Sequence, residues 1–377
     1  MRDEDILSKP ARILTQEERE SFFKYGYVVK KKIISDDWLG KLNEGLAKLI
    51  EKSKSLTKSD GTFVLEDGHT SDNPRLRRIA FMDEMDPIFH EFQRDSNLPD
   101  MAADILGPDV RFRENMINIK WSGGGQEVKW HQDFPFYPLT NRAVGQFLIC
   151  LDDVGPEQGP LQVVPGSHRG PIYDHYDSSN NWLGFIEDEK LKEAKLDTAV
   201  DLIGPAGTVS VHHCCALHAS RPNLSTKGRP VLIITYAACD AYPYTAVTYP
   251  TKNYGEVVRG KDTRFCHHEE MDIRLPPDWS GGYTSIFEHQ GGIIHYKFIG
   301  DNKVSTYIVM ACMKGEFVSR DGNVYDNFQM LGYVDSVSAE DAVTDFISQP
   351  QFPIVWNDVE YMWSESLAEE DSNGHYG

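Results

Sequence analysis

The sequence predicts a mostly β protein, a β-sandwich or jelly roll with helices against one sheet, followed by a small α+β module. Three observations predict it. Before residue 107 three segments, 15–24, 36–53 and 98–106, carry helix signals. After Val110 short apolar or alternating runs succeed one another between turn residues, as in antiparallel sheets. From residue 303 the pattern becomes strand, strand, helix, strand.

Thr15, with Glu18 three residues on, makes a capping box that starts a helix over 15–24, and Gly26 ends it. A second helix covers 36–53, where Leu39, Leu42, Leu46, Leu49 and Ile50 form one stripe. A third covers 98–106 and stops at Gly107-Pro108. Strands are expected at 111–120, 127–132, 144–151, 160–165, 207–211 and 230–237. Ser122-Gly123-Gly124-Gly125, Gly155-Pro156 and Gly204-Pro205 separate them as turns. The segment 170–200 is long, polar and partly helical at 187–196, the texture of a lid or binding loop. Beyond it, Tyr307–Ala311 and Phe328–Val334 read as strands. Residues 338–348 read as a helix capped by Ser338, and Glu360–Ser364 as a last strand before a frayed acidic tail. The expected division is therefore 1–302 and 303–377, with no chemistry visible in the second part.

An apolar fraction of 40% with 11% aromatics belongs to a folded protein. The 58 acidic residues against 38 basic ones, net −20, argue against a polyanionic partner such as nucleic acid. Lys30-Lys31-Lys32 beside Tyr27-Val28-Val29 reads as the solvated edge of a sheet. Six cysteines without a CxxC pair are no disulfide framework, and the N-terminus lacks the charge and apolar run of a signal peptide. No run approaches the ~18 apolar residues of a membrane span. A reducing cytoplasm is the expected compartment; oligomeric state is not read.

The chemistry concentrates at Lys129-Trp130-His131-Gln132-Asp133-Phe134. In a strand, residues two apart share a face, so His131 and Asp133 can reach one ion. They make two-thirds of the two-histidine, one-carboxylate triad of non-haem Fe(II) oxygenases, and the third ligand should come from a later strand. His218 closes the apolar stretch after Thr208–Val211, and Arg229 follows eleven residues later at the start of another strand. A buried arginine fork anchors the distal end of a dicarboxylate, and Ser220 shares the face of His218.

The pattern His131-Gln-Asp133, Gly-Pro-Leu-Gln-Val-Val-Pro-Gly-Ser-His, His218-x-Ser220 and Arg229 resembles the phytanoyl-CoA dioxygenase family, over roughly residues 15–300. The resemblance implies a double-stranded β-helix, Fe(II) held by His131, Asp133 and His218, and 2-oxoglutarate gripped by Arg229 and Ser220. It also places Asn118 against the metal-proximal end of the co-substrate. Related halogenases replace the carboxylate with a small residue, so Asp133 favours hydroxylation. The implied reaction oxidises a C–H bond of a small organic substrate and releases succinate and CO2.

His212 and His213 lie near His218 without the serine and arginine spacing, and the family often has a histidine at position 213 outside the metal shell. Cys214 and Cys215 read as buried small hydrophobes. His168 stabilises the corner at Pro165-Gly166-Ser167, and His267, His268, His289 and His295 read as surface or packing residues. Gln146, Leu148 and Cys150 alternate onto one strand face expected to line the co-substrate pocket. Tyr137 reaches the cavity mouth, and the turn-rich stretch Leu275–Tyr283 covers it. Two rivals differ in class: a non-catalytic jelly-roll binding or sensor protein, and a metal-dependent cupin-type isomerase. The isomerase has no use for Arg229 and Ser220.

Overall fold

Capping decides where the chain first turns helical. A short α1 (Asp3–Leu7) precedes α2 (Gln16–Tyr25). The Thr15 hydroxyl accepts from Glu18 N (3.2 Å) and Thr15 N donates to the Glu18 carboxylate (2.8 Å). Gly26 closes the helix at φ 80°, a left-handed conformation that suits glycine. Ser35 caps α3 (Asp36–Ser53), whose buried Leu39, Leu42, Leu46 and Leu49 form the expected stripe. The short α4 (Met82–Met85) and α5 (Pro87–Asp95) lead to α6 (Leu98–Leu106), which ends at Gly107. The structure, a computed structural model, describes residues 3–122, 125–280, 282–283, 285–291, 305–318, 324–336, 339–348 and 358–366. Two compact units divide it, Met1–Tyr296 and Lys297–Gly377.

The strands of the first unit are β1 (Tyr27–Lys30), β2 (Phe63–Leu65), β3 (Leu76–Ala80), β4 (Val110–Lys120), β5 (Val128–His131), β6 (Val144–Cys150), β7 (Leu161–Val163), β8 (Val200–Leu202), β9 (Val209–His213), β10 (His218–Ser220), β11 (Arg229–Ala238) and β12 (Val257–Arg259). They build two antiparallel sheets. The larger runs β1-β9-β6-β11-β4-β3-β2 with β12 added to β4, and the smaller runs β5-β10-β7-β8. This is the jelly-roll arrangement expected, and β1 with its lysines is an edge strand.

Period-two alternation assigns the two faces of the large sheet. Ile117, Ile119, Phe147, Ile149, Val209, Val211, Leu232 and Ile234 join one core with the apolar faces of α3, α5 and α6. The intervening residues Asn118, Met116, Gln146, Leu148, His212, Val231 and Ile233 line a cavity shared with the small sheet. A register shift opposite Thr235/Tyr236 brings both Phe112 and Ile117 to the helix side while Glu114 stays in the cavity.

The expected helix at 187–196 is replaced by two 3-10 turns, Asp188–Leu191 and Leu196–Thr198. Leu191 and Leu196 are five residues apart and fall on different faces of a helix. Separate turns let Leu191 pack with Val164, Ile186 and Leu217 while Leu196 lies against the same cluster. In the second unit β13 (Ser305–Val318) pairs with β14 (Val324–Ser336) and β15 (Val359–Ser366), and Phe346 of α8 (Ala339–Ser348) packs with Val309, Ala311 and Leu331. That is the strand, strand, helix, strand order. Ser338 and the tail beyond residue 366 lie outside the described residues.

Candidate functional site

The cavity between the sheets gathers His131, Asp133, His218, Ser220, Arg229, Asn118 and Gln146 along its wall. His131 ends β5 and His218 opens β10, and antiparallel pairing sets them directly opposite each other. Asp133 does not continue the strand, as the alternation argument supposed. It sits at φ −74°, ψ −35° just before a 3-10 turn over Phe134–Phe136, and Cys214 O accepts the N–H groups of Asp133 (2.9 Å) and Phe134 (3.0 Å). The pinned turn, rather than a shared strand face, swings the carboxylate between the imidazoles.

Asp133 Oδ1 lies 3.4 Å from His218 Nε2 and 3.7 Å from His131 Nε2. The three donor atoms all lie within 4.8 Å of one another, a set that could hold one metal ion. Each histidine is held in the matching tautomer. His131 Nδ1–H donates to Lys129 O (2.8 Å) and His218 Nδ1–H to Ala216 O (2.9 Å), which leaves both Nε2 lone pairs facing inward. Burial and the neighbouring His218 hold His131 well below the ordinary imidazole value, hence neutral and able to ligate. Burial pushes Asp133 up, but His218 and His212 outweigh it and keep the carboxyl well below the usual range. His212 Nε2 donates to the other oxygen, Oδ2 (2.9 Å), and so orients the carboxylate. His213 Nδ1 is taken by Cys215 N (3.1 Å), and Cys214 and Cys215 are buried as expected.

At the end of the cavity near β10, Arg229 and Lys120 are register partners on β11 and β4. Arg229 is 6% exposed, its Nε has no hydrogen-bond partner, and among the described residues no carboxylate pairs with it. Desolvation pulls it down to about 10. Lys120 donates to Ser220 Oγ (2.8 Å) and Ser220 O (3.1 Å), and burial with the adjacent Arg229 lowers it to about 6. A buried guanidinium with no carboxylate partner among the described residues, beside an amine that an arriving anion would recharge, makes a seat for an anion. Sequence reasoning missed Lys120, although it lies two residues beyond Asn118 on the same face of β4.

The rows of the sheet order the cavity lengthwise. Arg229 faces Lys120, Val231 faces Asn118, Ile233 faces Met116 and Leu148, and Thr235 faces Glu114 and Gln146. Gln146 therefore lies in the row farthest from Arg229, where it donates to the Tyr137 hydroxyl (3.1 Å) and accepts from Thr235 (2.8 Å). Asn118 Oδ1 accepts from Arg78 Nε (2.9 Å), a second arginine that the sequence left unassigned. Tyr137 and Tyr283 line the cavity, and Trp279 Nε1 donates to Phe136 O (2.7 Å), so part of the stretch 275–283 packs against the site; Gly281 lies outside the described residues. His168 Nε2 donates to Phe23 O (3.1 Å) at its corner. His267 and His268 are exposed, while His289 is buried on the short helix α7 (Ile286–Gln290); His295 lies outside the described residues.

Residues 22–231 match the family profile described as Phytanoyl-CoA dioxygenase (PhyH). A probable alpha-ketoglutarate-dependent hypophosphite dioxygenase of Stutzerimonas stutzeri is 30% identical over 284 residues, 73% of this chain and 96% of that protein. An ectoine dioxygenase of Sphingopyxis alaskensis is 27% identical over 233 residues, 58% of this chain and 74% of its own length. In fold, the crystal structure of EctD from S. alaskensis with bound Fe superposes with a TM-score of 0.56 at 22% identity, over 68% of this chain and 90% of that one. Profile and full-length relative agree with the motif around His131, Asp133, His218 and Arg229: the chain belongs to the phytanoyl-CoA dioxygenase family.

Proposed function

We propose that His131, Asp133 and His218 hold iron(II), and that Arg229, Lys120 and Ser220 seat the distal carboxylate of 2-oxoglutarate. The enzyme is a 2-oxoglutarate-dependent dioxygenase acting on a small molecule, and hydroxylation of a C–H bond is its assigned outcome. The observation that carries the residue roles is the meeting, in one cavity, of two imidazoles and a carboxylate with a buried arginine that pairs with no carboxylate among the described residues.

The balanced reaction is R–H + O2 + 2-oxoglutarate → R–OH + succinate + CO2, and bound iron supplies the chelation of the keto acid and the activation of oxygen. The chain supplies position and charge. Arg229 and Lys120 neutralise the far carboxylate, and Asn118, two residues from Lys120 on the same face, lies toward the metal-proximal end. His212 holds Asp133 in its ligating rotamer. Gln146, in the far row, faces substrate rather than co-substrate. With iron(II) and 2-oxoglutarate under air, the protein is expected to release succinate even without substrate. A protein that binds both and forms none would overturn the reading.

Two further outcomes are expected. His212→Phe keeps the ring but removes the bond to Asp133 Oδ2. Loss of such an outer partner should weaken iron binding by about 10–100-fold, measured by competition with a chelator. Lys120 titrates at about 6, against an ordinary 10.5, because it is buried beside Arg229. A bound carboxylate restores the charged form, so between these two pH values 2-oxoglutarate binding takes up a proton and affinity falls as pH rises. Calorimetry at pH 7.5 in buffers of different ionisation enthalpy should register uptake approaching about one proton, absent in Lys120→Met.

A further inference from the structure

Two other buried ionisable side chains line the cavity without a direct ion pair among the described residues. Glu114 is 3% exposed; its Oε2 accepts from Thr248 Oγ1 (2.8 Å) and its Oε1 from Thr235 Oγ1 (3.5 Å). Arg78 is 5% exposed and donates to Asn118 Oδ1 (2.9 Å) and to the Tyr249 hydroxyl (2.5 Å). Every one of these partners is neutral. Arg113, next to Glu114 in the chain, is stacked over the rings of Tyr137 (5.1 Å) and Tyr254 (5.4 Å) and forms no ion pair with the carboxylate.

The register keeps Glu114 and Arg78 at different places along the cavity. Arg78 pairs with Asn118, four residues along β4 from Glu114, a backbone separation of roughly 13 Å at about 3.3 Å per residue. Glu114 feels the charges of Arg113 and Arg78 through space but accepts hydrogen bonds only from hydroxyls, and Arg78 donates only to an amide and a phenol, so both keep capacity for a direct ionic contact. Phe136, Tyr137, Tyr249 and Tyr283 line the space with them, and aromatic faces attract cationic nitrogen. Burial raises the Glu114 carboxyl above its ordinary value, so a cation would also stabilise its ionised form.

We propose that the oxidised substrate is a small zwitterion whose cationic nitrogen sits on Glu114 and whose anionic group faces Arg78, with Glu114 as the residue that selects for the nitrogen. This rests on the metal-centre reading above, and the experiment keeps the two apart. Protein loaded with iron(II) and 2-oxoglutarate without oxygen is titrated calorimetrically with the protein amino acids and glycine betaine. Each binder is compared with its nitrogen-free isostere, such as cyclopentanecarboxylate for L-proline or 3,3-dimethylbutyrate for glycine betaine. Binders are then tested under air for stimulated succinate release.

At least one zwitterion should bind and stimulate, and its isostere should bind at least about tenfold more weakly, the scale of one lost ionic contact. Glu114→Gln should weaken the zwitterion by about tenfold or more and leave the isostere within about threefold. The isostere comparison needs only the wild-type protein, so a poorly folding variant cannot obscure it. Binding by no zwitterion, equal binding by the isostere, or an equal effect of Glu114→Gln on both overturns the proposal. Failure of the earlier reading looks different: the protein then takes up no iron or forms no complex with the keto acid.

Discussion

Asp133→Ala is expected to abolish iron binding and succinate formation together. The carboxylate is the anionic donor of the three, with Oδ1 3.4 Å from His218 Nε2 and 3.7 Å from His131 Nε2. Removing it takes away the charge that offsets the metal's and leaves His212 Nε2 without its acceptor. With Asp133 as the direct ligand proposed, the loss should exceed the roughly 10–100-fold typical of an outer partner. Iron content after anaerobic loading and succinate yield under air measure the two effects. A variant that kept both near wild-type levels would remove Asp133 from the centre.

Arg229→Ala is expected to raise the 2-oxoglutarate requirement with little effect on iron content. Truncating one partner of a buried charge pair costs about 2–5 kcal/mol, or roughly 30-fold or more in Kd. Lys120 remains in the variant and limits the loss, so Arg229→Ala combined with Lys120→Met should fall further than either alone. Arg229→Lys keeps the charge but loses the fork and should lie between wild type and alanine. The check is the 2-oxoglutarate dependence of succinate release, with iron content as control. An unchanged dependence would assign the buried guanidinium to something other than the keto acid.

Local signals carried much of the first unit's outline because they act over a few residues. The Thr15/Glu18 box, the leucine stripe of α3 and the stop at Gly107 each depend on neighbours within one or two turns. The region between α3 and α6 was unread for the same reason. β2, β3, α4 and α5 span three to nine residues, too few for a period to show, and they form because Phe63, Ile79, Phe89 and Phe92 complete the common core. The polar stretch 187–196 has a helical composition but no apolar stripe, and it breaks into turns.

Residue type and order alone picked out His131, Asp133, His218 and Arg229 as side chains expected to meet, from the two-residue interval between the first two and the eleven-residue interval between the last two. Chain folding decided what those intervals do not contain: the turn that lifts Asp133 off its strand, His212 behind it, Lys120 beside Arg229, and the separate stations of Glu114 and Arg78. Their placement follows from pairing between strands tens of residues apart. A buried charge also shows its missing partner only after every neighbour has taken its position.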